Sequence, residues 1–314
     1  MSEASSPTDP GGVPVGIALD GDRDHVMIGE EVERRLRRDE SRRGLLLALP
    51  AYVYMVLFFG VPLLIVFAYS FSTRTRTGEP TFAELSFDAY AKLTDELVRN
   101  VAVRSVVLAV LTTAICLLLG YPFAYFVATR GTTARNLLLV AVMIPFWTNF
   151  LVRNYAWRVL LSTGGPISAV TERVGLGEID LLFTRTAVVI GLVYSFLPFM
   201  ILPLYASIER IDWRLVEASR DLYCNGWKSF TKVVLPLSLP GVIAGSILVF
   251  VPSLGAYVTP AILGGGKEAL LGEYIVGQFL TARNWPVGAS LSFVLMTVML
   301  GATIVYFRSG GKNL

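Results

Sequence analysis

Six apolar stretches separated by polar intervals run along most of this chain, at about 44–71, 104–128, 137–160, 186–207, 237–263 and 287–307. Each is long enough to cross a hydrocarbon core, which takes about 20 apolar residues in a helix. Helix is the expected state of all six, because lipid offers backbone N–H and C=O groups no water to bond. The expected fold is an all-α integral membrane protein with six transmembrane helices, its membrane domain covering 44–314. Between the fourth and fifth runs lies a charged amphipathic interval, 209–236. Asp212 is a good N-cap there for a helix over 213 to about 224, and Asn225-Gly226 supplies a left-handed stop. Leu215, Ala218, Ser219 and Leu222 share one face of that helix, with Arg214, Glu217, Arg220 and Asp221 on the other side. Such a helix suits a protein groove.

Composition agrees with a membrane chain. Hydrophobic residues make up 54% and charged residues 16%, with a mean hydropathy of +0.60, too apolar for an ordinary soluble domain. Arginines set the expected orientation. Arg34, Arg35, Arg37, Arg38, Arg42 and Arg43 precede the first run, which puts the N-terminus in the cytoplasm. Six spans return the C-terminus to the same side, together with Arg130, Arg135 and the 209–236 interval. Arg74, Arg76, Lys92 and Arg99 fall in the first outer loop, diluted by Glu79, Glu84, Asp88, Asp95 and Glu96. Residues 1–43 read as a disordered cytoplasmic tail with a basic end, and the first run lies too far in for a removable signal peptide. The net charge of +3 reflects the inner loops and is no sign of nucleic-acid binding.

Catalysis finds no foothold. The sole histidine, His25, lies in the tail, and Cys116 and Cys224 stand too far apart in sequence to suggest a disulfide framework or a zinc site. Neither a catalytic nor a metal site is expected. The nearest run to a phosphate loop, Gly264-Gly265-Gly266-Lys267-Glu268, carries Glu where a hydroxyl should ligate magnesium, so it reads as an outer turn before a short segment at 270–280. A stand-alone ion-coupled carrier or channel is the competing class, but the apolar runs hold no Asp or Glu to act as a relay. Arg153 and Arg158 are expected to snorkel to the outer interface or to bind a second subunit. Pro145, Pro198, Pro203, Pro252 and Pro260 are read as helix interruptions around a cavity. Gly241 and Gly245 have the small-xxx-small spacing that lets two membrane helices approach closely.

The polar interval carries a motif. Glu217-Ala218-Ser219, three residues, Tyr223, nine residues, then Val233-Val234-Leu235-Pro236 resembles the EAA loop of bacterial ATP-binding-cassette (ABC) importer permeases. Two residues depart from that pattern: Ser219 replaces a second Ala, and Tyr223 stands at the motif's Gly, so Gly226 is expected to supply the flexibility instead. Three further stretches, Ile144-Pro145-Phe146-Trp147-Thr148-Asn149, Leu197 to Tyr205 and Trp285-Pro286-Val287-Gly288-Ala289, resemble the first permease of spermidine/putrescine ABC importers.

That resemblance implies a multi-pass subunit of the bacterial cytoplasmic membrane, surrounded by lipid. It implies half of a permease heterodimer, served by an extracytoplasmic substrate-binding protein and driven by two cytoplasmic ATPase subunits that hold ATP and magnesium. Coupling to the ATPase is expected through Glu217, Ala218, Ser219, Arg220, Asp221, Tyr223, Gly226, Leu235 and Pro236. For a polyamine cargo, Trp147, Asn149, Tyr194 and Tyr257 are candidates to line the path, aromatic faces attracting a cation by about 0.5–2 kcal/mol each. Related permease branches move sulfate, molybdate, thiamine, iron or phosphonates on the same plan.

Overall fold

The computed structural model describes residues 48–75, 79–82, 84–175, 177, 180–266 and 269–310, with side chains to Ile304. The expected tail at 1–43, with its arginine cluster, lies outside the described residues, as do Lys267 and Glu268. The chain divides into two units, residues 1–64 and 65–314.

Helix α1 (Ala48–Tyr69) opens in the first unit. It contains a π-helical turn at Val56–Gly60, just before Val61-Pro62. Proline has no N–H to give and its ring crowds the carbonyl four residues back, and a widened turn relieves that conflict. Val56, Phe59 and Leu64 are exposed there, a surface that suits hydrocarbon.

In the second unit a small antiparallel ribbon pairs β1 (Thr73–Arg74) with β2 (Pro80–Thr81), Thr73 opposite Thr81. The short α2 (Asp88–Ala91) leads into α3 (Glu96–Ala128). At 33 residues, α3 is about 50 Å long and outruns a bilayer core of about 30 Å. It packs with α7 (Arg185–Glu209) and α9 (Gly226–Leu254) around Cys116, Leu192, Met200, Leu204 and Val249. These three helices meet closely because small residues sit at the crossings. A Cβ on Gly241 would lie 2.5 Å from Ser207 Cβ and 2.6 Å from the Pro203 carbonyl oxygen. On Gly245 it would meet Met200 Sδ at 2.8 Å. The pair therefore seats the fifth span on the fourth span of the same chain.

A second cluster, including Val98, Val101, Leu271, Ile275 and Val287, joins the start of α3 to α11 (Leu271–Leu280) and α12 (Trp285–Gly310). Ser105 Oγ accepts the Leu271 N–H at 2.7 Å, fixing the start of α11 against α3.

Among the described residues five helices are long and apolar enough to span a membrane, and a sixth is counted if a bent pair is one span. The bend corrects the expectation of one continuous helix at 137–160. Instead α4 (Thr132–Trp147) and α5 (Phe150–Leu161), followed by α6 (Pro166–Arg173), meet at 90°. Thr148 is extended, and Asn149 Oδ1 accepts the Leu151 N–H at 2.8 Å, opening a new helix. The Pro145 carbonyl left free at the bend accepts Thr148 Oγ1 at 2.7 Å and Arg153 Nη1 at 3.1 Å.

The fifth run also differs from its reading at 237–263. Its helix starts at Gly226, ends at Leu254, and gives way to a separate α10 (Val258–Leu263). Pro198 and Pro203 do not interrupt α7, nor does Pro252 break α9 at its own position. One lost backbone bond per proline is tolerated where packing on neighbouring helices holds the axis.

Candidate coupling site and translocation path

Helix α8 (Trp213–Asp221) forms from strong local signals. Asp212 Oδ1 accepts the Arg214 N–H at 3.0 Å, so the N-cap read from sequence is made. The stripe that α8 turns inward is Val216 and Ser219, flanked by half-buried Trp213. The face shared by Leu215, Ala218, Ser219 and Leu222 is therefore not the one α8 packs on its own chain. Of those four only Ser219 is buried, while Leu215 is 50% and Leu222 is 78% exposed. A short helix with apolar residues on two sides has no inward face until a neighbour selects one. Here Tyr125 does so, its ring 5.9 Å from that of Trp213. Glu217, Ala218, Arg220 and Asp221 are exposed beside Leu215 and Leu222.

The helix does not stop at Asn225-Gly226. Asn225 Oδ1 accepts the Lys228 N–H at 2.8 Å and starts α9, with Gly226 as its first residue at an ordinary negative φ. The left-handed residue is Tyr223, with φ of 59°. Around it the Cys224 N–H bonds the Ser219 carbonyl at 3.1 Å and the Tyr223 N–H bonds the Arg220 carbonyl at 3.0 Å. This is a Schellman end with tyrosine at the position that usually takes glycine. Its ring, 97% exposed, needs no room inside the protein, so the cost lies in the backbone. Gly226 does not take over the motif glycine's role. Tyr223→Gly should relieve about 1 kcal/mol of left-handed strain. The check is hydrogen exchange at Leu222 and Cys224, expected to slow about fivefold as local opening becomes harder. Unchanged exchange would contradict the assignment of strain.

Ser219, the other departure from the motif, ties α8 to α9. Its Oγ donates to the Val216 carbonyl at 2.7 Å and lies 2.6 Å from Ser229 Oγ. Phe230 then packs edge-on against Tyr121 at 5.5 Å and Tyr125 at 6.2 Å. Tyr121 in turn shares a 2.8 Å hydrogen bond with Ser238. A π-helical turn at Phe230–Val234 precedes Leu235-Pro236, the same response to proline seen in α1. At the same end of the bundle Arg135 Nη1 and Glu209 Oε1 are 2.6 Å apart, linking α4 to the end of α7. Leu222, Tyr223 and Trp227, at 78, 97 and 72% exposed, continue the uncovered apolar surface of Leu215.

The four path candidates have different fates. Asn149 is engaged as the cap of α5. Tyr194 packs edge-on with Trp157 at 5.3 Å and lies 5.8 Å from the Arg153 guanidinium. Trp147 is 79% exposed at the elbow, and Tyr257 is 39% exposed where α9 gives way to α10. Arg153 does not snorkel. It is buried between the rings of Phe146 and Phe150, each 5.5 Å away, holding the Pro145 carbonyl. Arg158 lies over the Phe183 ring at 5.7 Å. Elbow and break both pack on α7, the elbow through Phe146 edge-on to Phe199 at 4.9 Å, and α10 at Gly191, where a Cβ would meet Leu263 Cδ1 at 2.5 Å and Thr259 Cγ2 at 2.7 Å. The glycine turn is left-handed at Gly265 and Gly266.

One carboxylate escaped the reading of apolar runs. Glu273 sits in the first turn of α11, three residues after Leu270. This is the reach-back position of a capping box. Its Oε2 is buried without a hydrogen-bond partner. Burial raises its pKa above the ordinary carboxylate value, against the opposing pull of the Leu270 amide. An acid at the third position of an apolar helix, in Leu271-Gly272-Glu273, is the signal that marks it.

Residues 41–309 match the family of binding-protein-dependent transport system inner membrane components. The spermidine/putrescine transport system permease protein PotB of Escherichia coli K12 is 42% identical over 260 residues, covering 82% of this chain and 94% of that protein. PotB of Haemophilus influenzae is 41% identical, covering 82% and 91%. Among solved structures, a bacterial alginate ABC transporter in complex with an alginate pentasaccharide-bound periplasmic protein superposes with a TM-score of 0.61 at 18% identity, over 87% of this chain and 98% of the matched chain. That likeness shows the fold. The chain belongs to the binding-protein-dependent transport system inner membrane component family, as a multi-pass membrane permease subunit of an ABC importer and not an enzyme.

Proposed function

We propose that this permease imports polyamines, spermidine or putrescine, as one half of a heterodimeric pathway with its two termini in the cytoplasm. The match to the PotB proteins across four-fifths of the chain carries this reading. An extracytoplasmic binding protein delivers the cargo. Two ATPase subunits, which hold ATP and magnesium, drive the heterodimer, and one of them docks on α8.

Support for the docking site comes from chemistry. Leu215, Leu222, Tyr223 and Trp227 offer apolar area, and Glu217, Arg220 and Asp221 offer a charged rim, the usual division of an interface into core and edge. Closure of the ATPase pair pushes α8. The Ser219–Ser229 bond and the Phe230 ring cluster pass that push to α9, which runs unbroken from Gly226 to Leu254. A rigid helix rooted in the docking site acts as a lever, and alternating access follows from its tilt.

The test is uptake of radiolabelled spermidine and putrescine into cells with and without this gene, with the ATP supply intact or collapsed. Loss of ATP-dependent polyamine uptake on deletion is expected. Unchanged uptake, with the protein still copurifying with an ATPase, would keep the permease and discard the cargo.

A further inference from the structure

The unpartnered oxygen of Glu273 belongs to the helix that rests on the break in the fifth span. There α9 ends at Leu254 and helix resumes only at Val258. The carbonyls that end a long helix carry the negative pole of its macrodipole. Gly272 lets α11 approach this pole. A Cβ at that position would collide with the Gly255 carbonyl oxygen and lie 2.8 Å from that of Ala256. Glu273 follows directly in the chain, with Oε2 buried and unbonded. Tyr257 stands at the same break, part of it exposed, so the region is open on one side.

A carboxylate, a helix's terminal carbonyls and an aromatic ring all favour a cation, and none of them favours an anion. We propose that Glu273, with the carbonyls of Gly255 and Ala256, forms a subsite for an ammonium group of the cargo as it passes the break between α9 and α10. This rests on the polyamine reading. The subsite supplies a carboxylate that the apolar runs lack, and it lies where the fifth span is already unwound, an arrangement in which free carbonyls coordinate cations at membrane depth. With no hydrogen bond of its own, Oε2 is left for the cargo.

Glu273→Gln separates the two roles, because glutamine also completes a capping box and removes only the charge. The complete importer, reconstituted in liposomes with its partner subunits and binding protein, is assayed for spermidine uptake. The variant is expected to assemble in normal yield and to lose about tenfold or more in kcat/KM, the effect of one charge-assisted hydrogen bond. Wild-type kcat/KM in the variant would overturn the subsite and leave the polyamine reading standing. Failure of the wild-type importer to move either polyamine would overturn both. A second measurement needs no variant. Carbodiimide labelling of Glu273 in the wild-type importer, read by peptide mass spectrometry, should fall when spermidine is present. Equal labelling with and without spermidine would overturn the subsite.

Discussion

An importer carrying Glu217→Lys is expected to insert and fold its membrane subunits normally yet lose its ATPase. Glu217 is exposed on α8, in the charged rim of the apolar surface of Leu215, Leu222 and Tyr223 that this chain leaves uncovered. Reversing a charge at a docked interface costs about 2–5 kcal/mol, on the order of thirty- to several-thousandfold in affinity. The inward contacts of α8, made by Val216 and Ser219, are untouched by this change, so membrane assembly is preserved. Copurification of the ATPase and ATP-driven uptake should both fall by at least about thirtyfold. Retained copurification would remove Glu217 from the docking surface and shift attention to Trp227.

The second large effect lies inside the membrane domain. Gly241→Leu is expected to prevent recovery of folded protein, because the added side chain meets the Pro203 carbonyl oxygen and the Ser207 Cβ, atoms that move only with the α7 backbone. Overpacking of this kind costs about 1–3 kcal/mol for a methylene or two and more for a whole side chain. The alanine variants rank the two sites. Gly245→Ala should be the milder, since its nearest neighbour is the Met200 thioether, a flexible group that can shift, whereas Gly241→Ala presses on backbone. Thermal midpoints of the two purified variants in detergent test this order, and a greater loss at Gly245 would refute it.

Much of this architecture is legible in the residue pattern, and the reason is the solvent. Lipid forces any run of about 20 apolar residues into helix, so the spans follow from composition without knowledge of their neighbours. The α8 N-cap is equally local, because Asp212 and the Arg214 amide are two residues apart. The elbow in the third span was also written in the chain. Asn149 two residues after Trp147, with Pro145 upstream, is a helix start hidden inside an apolar run. Hydropathy passes over it because one cap residue hardly alters the average.

Other features have no local signature. Asn-Gly is the commoner left-handed stop, and nothing in the order of residues selects Tyr223 instead. The Ser219 carbonyl holding the Cys224 amide, with Ser219 itself anchored to Ser229, closes the helix early. Arg153 reads as an interfacial arginine until the 90° bend turns it toward Phe146, Phe150 and Tyr194. Glu273 draws no notice in the short segment at 270–280 until Gly272 lets α11 settle against the broken fifth span. By itself, then, the order of residues determined that this protein lives in a membrane as a bundle of helices with a charged, capped helix between its fourth and fifth spans. These outcomes follow from the solvent and from bonds reaching a few residues along the chain. Which face of α8 stays free, where the third and fifth spans break, and which polar atoms are buried were decided only in the tertiary structure. Each of those depends on contacts between residues far apart in sequence, and in uniformly apolar helices no periodic pattern announces which neighbour a face will meet.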